Sequence, residues 1–207
     1  GEFYEVIIGC AAFNKEVEAF FKKMDFPFTV GYGMTECAPI ITYDDWKEEK
    51  LYSCGKAAPN MEVRIASANP AEIAGEIQVK GANVMLGYYG DAEATAAAFT
   101  EDGYFRTGDI GYMDADGYLY ITGRSKSVIV LENGKNVFPE EIEEYLGNIE
   151  TIAECAVIGR QNGSEVNLTA LIYPDTTKFK EGTTMAEMHQ VIQSAINDLN
   201  KTLPTYK

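Results

Sequence analysis

Three short stretches of this sequence combine residue types that hold phosphates, sugars and cations. The first is Gly31-Tyr32-Gly33-Met34-Thr35-Glu36, directly after an extended-type run. Its glycines admit a ligand close to the backbone, and Thr35 offers a hydroxyl to a phosphate oxygen. Glu36 offers a hard oxygen to Mg²⁺, and Tyr32 adds a flat face for a base. Read locally, the same residues also make a plain strand-to-loop turn. In the second stretch, Tyr104-Phe105-Arg106-Thr107-Gly108-Asp109, a carboxylate sits beside a glycine in what reads as a loop. It can accept two hydrogen bonds from ribose hydroxyls, or close an Asx-type turn. The third, Gly123-Arg124-Ser125-Lys126, places Arg124 as an isolated cation suited to a phosphate or ribose oxygen. A surface ion pair with one of the 32 acidic residues is the alternative.

The elements that must position these residues fall into three styles. Val6-Ile7-Ile8 reads as a strand, followed by a helix capped by Asn14 with Val17, Phe20, Phe21 and Met24 at i, i+3, i+4 and i+7. That stripe reads as core. Phe28-Thr29-Val30 resumes extended structure, which makes a strand-helix-strand unit of the kind that builds parallel sheets, where ligands gather at strand C-termini. From about Gly55 to Gly123 the pattern alternates, with Val63/Ile65, Ile77/Val79 and a hairpin of Tyr112 and Tyr120 around Asp116-Gly117. This predicts a small antiparallel β-barrel-like subdomain, interrupted by a short Ala-rich helix after Asp91. Beyond Arg124 come a buried strand Val128 to Leu131, a helix with Pro139 in its first turn, strands near 156–158 and 168–173, and a last helix opened by the capping box Thr184-Met185-Ala186-Glu187. The fold class is therefore mixed α+β.

Composition bounds the function. The 207 residues suffice for one large or two small cores, and 46% hydrophobic with 24% charged residues describes an ordinary folded chain. A net charge of −15 repels phosphate backbones and anionic lipid surfaces, so nucleic acid and membrane-surface partners are not expected. Any phosphate ligand must be held locally by N–H groups, single basic residues and a divalent cation. Four scattered cysteines without a C-x-x-C pair, and one histidine, His189, give no metal-site spacing. They read as small buried hydrophobes in a reducing, cytoplasmic setting. No apolar run approaches the roughly 20 residues of a membrane span. The chain opens on Gly1 and closes on Lys207 just after a helical pattern, and is read as a piece of a longer polypeptide.

Taken together and in order, the stretches GYGMTE (31–36), GEIQVKGANVMLGYY (75–89), YFRTGDIGYMDADGYLYITGR (104–124), SKSVIVLENGKNVFPEEIE (125–143) and LNKTLPTYK (199–207) resemble the C-terminal part of an acyl-adenylate-forming enzyme. That superfamily holds acyl-CoA synthetases, peptide-synthetase adenylation domains and luciferases. The resemblance implies a C-terminal part of the large AMP-binding domain over 1–124 and a small hinged α+β C-terminal domain over 125–207. It implies that Gly9, Cys10 and Ala11 line an adenine loop, that Tyr32, with Gly33 beside it, stacks on adenine, that Thr35 meets the α-phosphate and that Glu36 ligates Mg²⁺. Asp109 would bind the ribose and Arg124 the nucleotide. Lys126 would be the hinge, and the loop at Asn133 and Gly134 would line the pantetheine tunnel of CoA.

The reaction implied is ATP-dependent: a carboxylic acid, of the medium- or long-chain fatty type by the wording of ENGKNVFPEEIE, becomes acyl-AMP and is then transferred to CoA. The family's phosphate loop has no counterpart in this sequence, and its catalytic lysine normally lies past the L-P-x-Y-K segment. This chain alone is expected to be inactive. Two alternatives stand beside that reading: an adenylating domain loading a carrier-protein thiol, and a non-catalytic nucleotide-binding module.

Overall fold

The computed structural model describes residues 4–9, 13–131, 135–163 and 165–201. The chain divides into two compact units, Gly1–Ser125 and Lys126–Lys207.

The first unit opens with β1 (Val6–Ile8), α1 (Lys15–Lys23) and β2 (Phe28–Val30), β1 and β2 pairing in parallel as the strand-helix-strand reading requires. Asn14 caps α1, its side-chain oxygen accepting from the N–H groups of Glu16 and Val17 at 3.0 and 3.1 Å. Within this chain most of the apolar stripe of α1 is exposed. Phe20 is 56% and Met24 64% exposed, whereas Glu18 is buried, its carboxylate accepting from the Tyr52 N–H. A polar anchor, which periodicity does not see, sets which flank of the helix faces inward. Phe21 does pack inward, edge-on against Phe28.

A three-stranded sheet follows, built from β3 (Tyr32–Gly33), β4 (Ile40–Tyr43) and β5 (Lys56–Ala57). Then β6 (Met61–Ala66), β7 (Gly75–Gly81), β8 (Phe105–Met113) and β9 (Leu119–Arg124) form an antiparallel sheet in that order, with α2 (Ala92–Ala98) between β7 and β8. The alternation over 55–123 is thus an antiparallel sheet as read, but it stays open, with β6 and β9 as its edges, instead of closing into a barrel. Tyr112 and Tyr120 face each other across the β8–β9 hairpin with rings stacked at 4.7 Å. Cys37, Ile41, Met61, Ile65, Ile77, Val79, Phe105 and Leu119 make the core under this sheet. Cys37 and Ile41 come from the segment after Tyr32, so the Gly31–Glu36 stretch is anchored directly onto the core.

The second unit contains β10 (Ile129–Val130), β11 (Asn136–Val137), α3 (Pro139–Gly147), the long hairpin β12 (Ile152–Asn162) and β13 (Glu165–Pro174), and α4 (Met185–Asn200). The strand expected over Val128 to Leu131 shrinks to two residues, with Val130 exposed, because its partner β11 offers only two residues for pairing. Pro139 opens α3 at its first turn, and Thr184 and Glu187 close the reciprocal capping box of α4. Val137, Ile142, Leu146, Ile152, Val157 and Ile192 form the core. His189 is exposed. Among the described residues no helix is long and apolar enough to cross a membrane.

Candidate nucleotide site

The first unit brings all three chemistry-bearing stretches together on one carboxylate. Asp109 was read as a loop residue beside a glycine, but it lies within β8, directly across from Arg124 at the end of β9. Gly108 explains the misreading. It has φ +74, a left-handed value that suits glycine and kinks the strand without ending it. Thr107 steadies the kink, its hydroxyl donating to the Ile77 carbonyl at 2.8 Å and accepting from the Asp109 N–H at 3.1 Å.

The buried Asp109 carboxylate then takes two partners. Oδ2 accepts from the Tyr32 hydroxyl at 2.6 Å, and Arg124 Nε sits 3.2 Å from Oδ1. The side chains differ sharply in exposure, 10% for Asp109 against 74% for Arg124. The carboxylate is therefore the fixed point, and the guanidinium is the part free to meet a ligand. Burial, and then the adjacent Asp109 carboxylate, hold the Tyr32 phenol far above its ordinary range, so it is a hydrogen-bond donor at any working pH.

Tyr32 arrives there because β3 leads into a tight 3₁₀ turn, Thr35–Cys37. Gly33 is sterically required, since a Cβ on it would lie 2.2 Å from the Pro39 carbonyl oxygen. Ala38 closes the turn with φ 52. The Thr35 side chain is exposed and the Glu36 side chain half-buried. Gly9, just after β1, sits beside Gly31, whose N–H donates to the Ile8 carbonyl at 2.8 Å, so that strand end and the start of β3 are neighbours. Cys10, Ala11, Asn133 and Gly134 lie outside the described residues. Lys126 is exposed at the start of the second unit.

Sequence reasoning missed what holds Glu36. The Tyr88 hydroxyl donates to Glu36 Oε1 at 3.2 Å, and the Met85 N–H donates to the Glu36 carbonyl at 2.7 Å. Asn83 Nδ2 donates to the carbonyls of Cys37 and Ile40 at 2.7 and 2.9 Å. These residues lie in the GANVMLGYY stretch, whose resemblance marked it but whose residues carried no assigned role. Burial and the Glu36 carboxylate raise the Tyr88 phenol above its usual range. Cys37, buried beneath the turn, has its thiol pushed up to about 11, by desolvation and then by Glu36.

The donor set fits Mg²⁺ held jointly with a ligand. Glu36 would supply one carboxylate, and no group of three His, Cys, Asp or Glu exists among the described residues. Mg²⁺ is commonly bound in that way, by one or two carboxylates with phosphate oxygens and water completing its shell.

Comparison with known proteins matches residues 3–89 to an AMP-binding enzyme family and residues 126–207 to an AMP-binding enzyme C-terminal domain. An indoleacetate–CoA ligase of Aromatoleum aromaticum is 43% identical over 140 residues, covering 65% of this chain and 27% of that protein. A 2-succinylbenzoate–CoA ligase of Listeria innocua is 36% identical over 179 residues, covering 86% of this chain and 37% of that protein. The chain thus spans about a third of the length of such relatives. Among solved structures, o-succinylbenzoate CoA synthetase of Bacillus subtilis with its acyl-adenylate intermediate superposes with a TM-score of 0.78 at 28% identity, covering 97% of this chain and 40% of that one. ATP-bound MatB of Rhodopseudomonas palustris gives 0.73 at 30% identity, covering 92% and 38%.

Proposed function

The chain belongs to the AMP-binding enzyme family, and on that premise we propose that the protein carrying it is an ATP-dependent, AMP-forming acid–CoA ligase. The observation that carries the reading is the convergence of Tyr32, Asp109 and Arg124, from three separate stretches, on one buried carboxylate. A nucleoside fits this arrangement: a phenol ring held at its edge, a carboxylate for sugar hydroxyls and a free-ended cation.

In the first half-reaction a carboxylate oxygen of the acid attacks the ATP α-phosphorus, the bond to pyrophosphate breaks, and acyl-AMP forms. In the second the CoA thiol attacks the acyl carbon, AMP leaves, and the thiol proton passes to solvent. Neither step needs a protein nucleophile, so the chain contributes position and charge. Tyr32 offers its ring to adenine beside the backbone of Gly33, and Gly9, Cys10 and Ala11 are assigned to the same adenine contact. Asp109 binds the ribose, Arg124 reaches the nucleotide, and Thr35 bonds the α-phosphate. Glu36 would hold Mg²⁺, which when bound neutralises phosphate charge. Lys126 is the pivot between the two half-reactions, and the loop at Asn133 and Gly134 lines the path of the pantetheine arm.

The acid is carboxylic. Two classes have support: the ENGKNVFPEEIE wording supports a fatty acid, and the names of the two relatives, which act on indoleacetate and 2-succinylbenzoate, support an aryl or arylalkyl acid. The test is acid-dependent pyrophosphate release by the full-length polypeptide over a panel of fatty and aryl acids, followed by thioester formation with CoA. Turnover with one class supports the reading and assigns the acid. Absence of acid-dependent pyrophosphate release with every acid would overturn it.

A further inference from the structure

The segment from Asn83 to Tyr88 holds the Thr35–Cys37 turn at three points and the start of β4 at a fourth, and only one of the four reaches a side chain. Asn83 and Met85 hold three backbone carbonyls, those of Cys37, Ile40 and Glu36. Among the described residues Tyr88 alone bonds the Glu36 carboxylate, across a sequence separation of 52. If the segment served only to fasten the turn, the backbone contacts would suffice, and a fourth contact at the carboxylate would add little.

Tyr88 is itself fixed from behind. Its N–H donates to Thr95 Oγ1 at 2.9 Å, while that hydroxyl donates to the Asp91 carbonyl at 2.7 Å, tying Tyr88 to the first turn of α2. Gly87, just before it, has φ +152, and a Cβ there would stand 2.6 Å from Thr95 Cγ2. The backbone on which the phenol hangs therefore has little room to shift.

We infer that Tyr88 is a positioning residue for Glu36: its hydroxyl occupies Oε1 and thereby presents Oε2 to a divalent cation. This rests on the reading of Glu36 given under Proposed function. The reason is geometric. A carboxylate with one oxygen held by a fixed donor offers the other as a single, aimed ligand, the arrangement Mg²⁺ needs for its strict octahedral shell. Hydrogen-bond partners of this kind behind a metal ligand typically contribute 10–100-fold in metal affinity.

The experiment uses the full-length polypeptide with ATP and Mn²⁺ as the probe, bound Mn²⁺ being read by electron paramagnetic resonance so that no turnover is needed. Four proteins are compared: wild type, Tyr88→Phe, Glu36→Gln and the double variant. Tyr88→Phe keeps the ring and its packing, and a circular dichroism melt checks that it folds. The expected result is that Mn²⁺ affinity falls roughly 10-fold in Tyr88→Phe and further in Glu36→Gln, and that the double variant matches Glu36→Gln alone. A fall in melting temperature with unchanged Mn²⁺ affinity in Tyr88→Phe, while Glu36→Gln loses affinity, would show a merely structural tyrosine and overturn the inference. Losses that add in the double variant would also overturn it, since Tyr88 would then act other than through Glu36. Unchanged affinity in both single variants would instead remove Glu36 from the metal site and take the inference down with that assignment.

Discussion

The Tyr32–Asp109 bond sets both the stability and the reactivity of this site, and its share can be worked out. Tyr32→Phe removes the donor 2.6 Å from Oδ2 of a buried carboxylate. A hydrogen bond to a charged group is worth roughly 1.5–3 kcal/mol. The remaining partner, Arg124, is 74% exposed at 3.2 Å, a solvent-screened pair worth at most about 1 kcal/mol. It cannot compensate for the lost phenol. A loss of about 2 kcal/mol shifts the melting temperature of a unit this size by roughly 4–8 °C. Asp109→Ala should cost at least as much, because it leaves the Tyr32 hydroxyl buried without its acceptor. The two changes remove the same bond, so the double variant should fall short of the sum by about 1.5 kcal/mol or more. Thermal melts of the four proteins measure this coupling. The ATP constant measured alongside should rise strongly in Asp109→Ala and only modestly in Tyr32→Phe, which keeps the ring. Additive melting shifts would refute the claim that the two side chains act as one unit.

Glu36→Gln should depress kcat for pyrophosphate release more than it raises the ATP constant, the reverse of Asp109→Ala, because charge stabilisation grows in the transition state while the ribose grip is closer to uniform binding; steady-state kinetics with varied ATP distinguishes them. Gly33→Ala should destabilise by roughly 1–3 kcal/mol and abolish adenylation, since its Cβ would meet the Pro39 carbonyl at 2.2 Å. Gly117→Ala, at φ +86 in open space, should cost only about 1–2 kcal/mol of backbone strain and leave activity intact, as melts and pyrophosphate assays would show. Lys126→Pro, at the first residue of the second unit, should spare acyl-adenylate formation in a single turnover yet slow thioester formation from preformed acyl-AMP; equal survival of both would refute the hinge. With burial holding Cys37 at about 11 and Cys54 at about 12, native protein at pH 8 should carry almost no thiolate at either position, and iodoacetamide should label them only after denaturation.

What the sequence made legible follows from how local each signal is. Asn14, Pro139 and the Thr184–Glu187 box act on backbone within three residues, and each helix begins where those residues place it. The antiparallel hairpin at Asp116-Gly117 was readable for the same reason, the turn and its alternating flanks being contiguous. Legibility fails where a distant polar group decides. The buried Glu18 of α1 reaches Tyr52, 34 residues away, while of the expected stripe Phe21 packs inward and Val17, Phe20 and Met24 are exposed within this chain. The sequence offers Asp109 as a candidate ribose carboxylate, but its glycine neighbour disguises a kinked strand as a loop. Tyr88 and Asn83 lie in a stretch that the resemblance marks, but their contacts leave no local signal, because a bond spanning 52 or 46 residues has no periodicity.

That pattern has a physical consequence for how such a site can work. A reaction without a protein nucleophile depends on placing the acid, the α-phosphate and the cation correctly, and misplacement by about 1 Å can cost 100-fold in rate. Three of the groups assigned roles in the first unit, Tyr32, Glu36 and Asp109, are accordingly held by at least one residue distant in the chain. Asp109 is held by Thr107 and by Tyr32 across a separation of 77. The Tyr32 turn is held by the Gly33–Pro39 approach and by Asn83. Glu36 is held by Met85 at its carbonyl and by Tyr88 at its carboxylate. Cys37 and Ile41 then tie the turn into the core shared with the four-stranded sheet. On the proposed reading a core substitution such as Ile77→Ala is therefore expected to reach the nucleotide site through the packing of β6 to β9, because the Thr107 hydroxyl that donates to the Ile77 carbonyl lies two residues from Asp109.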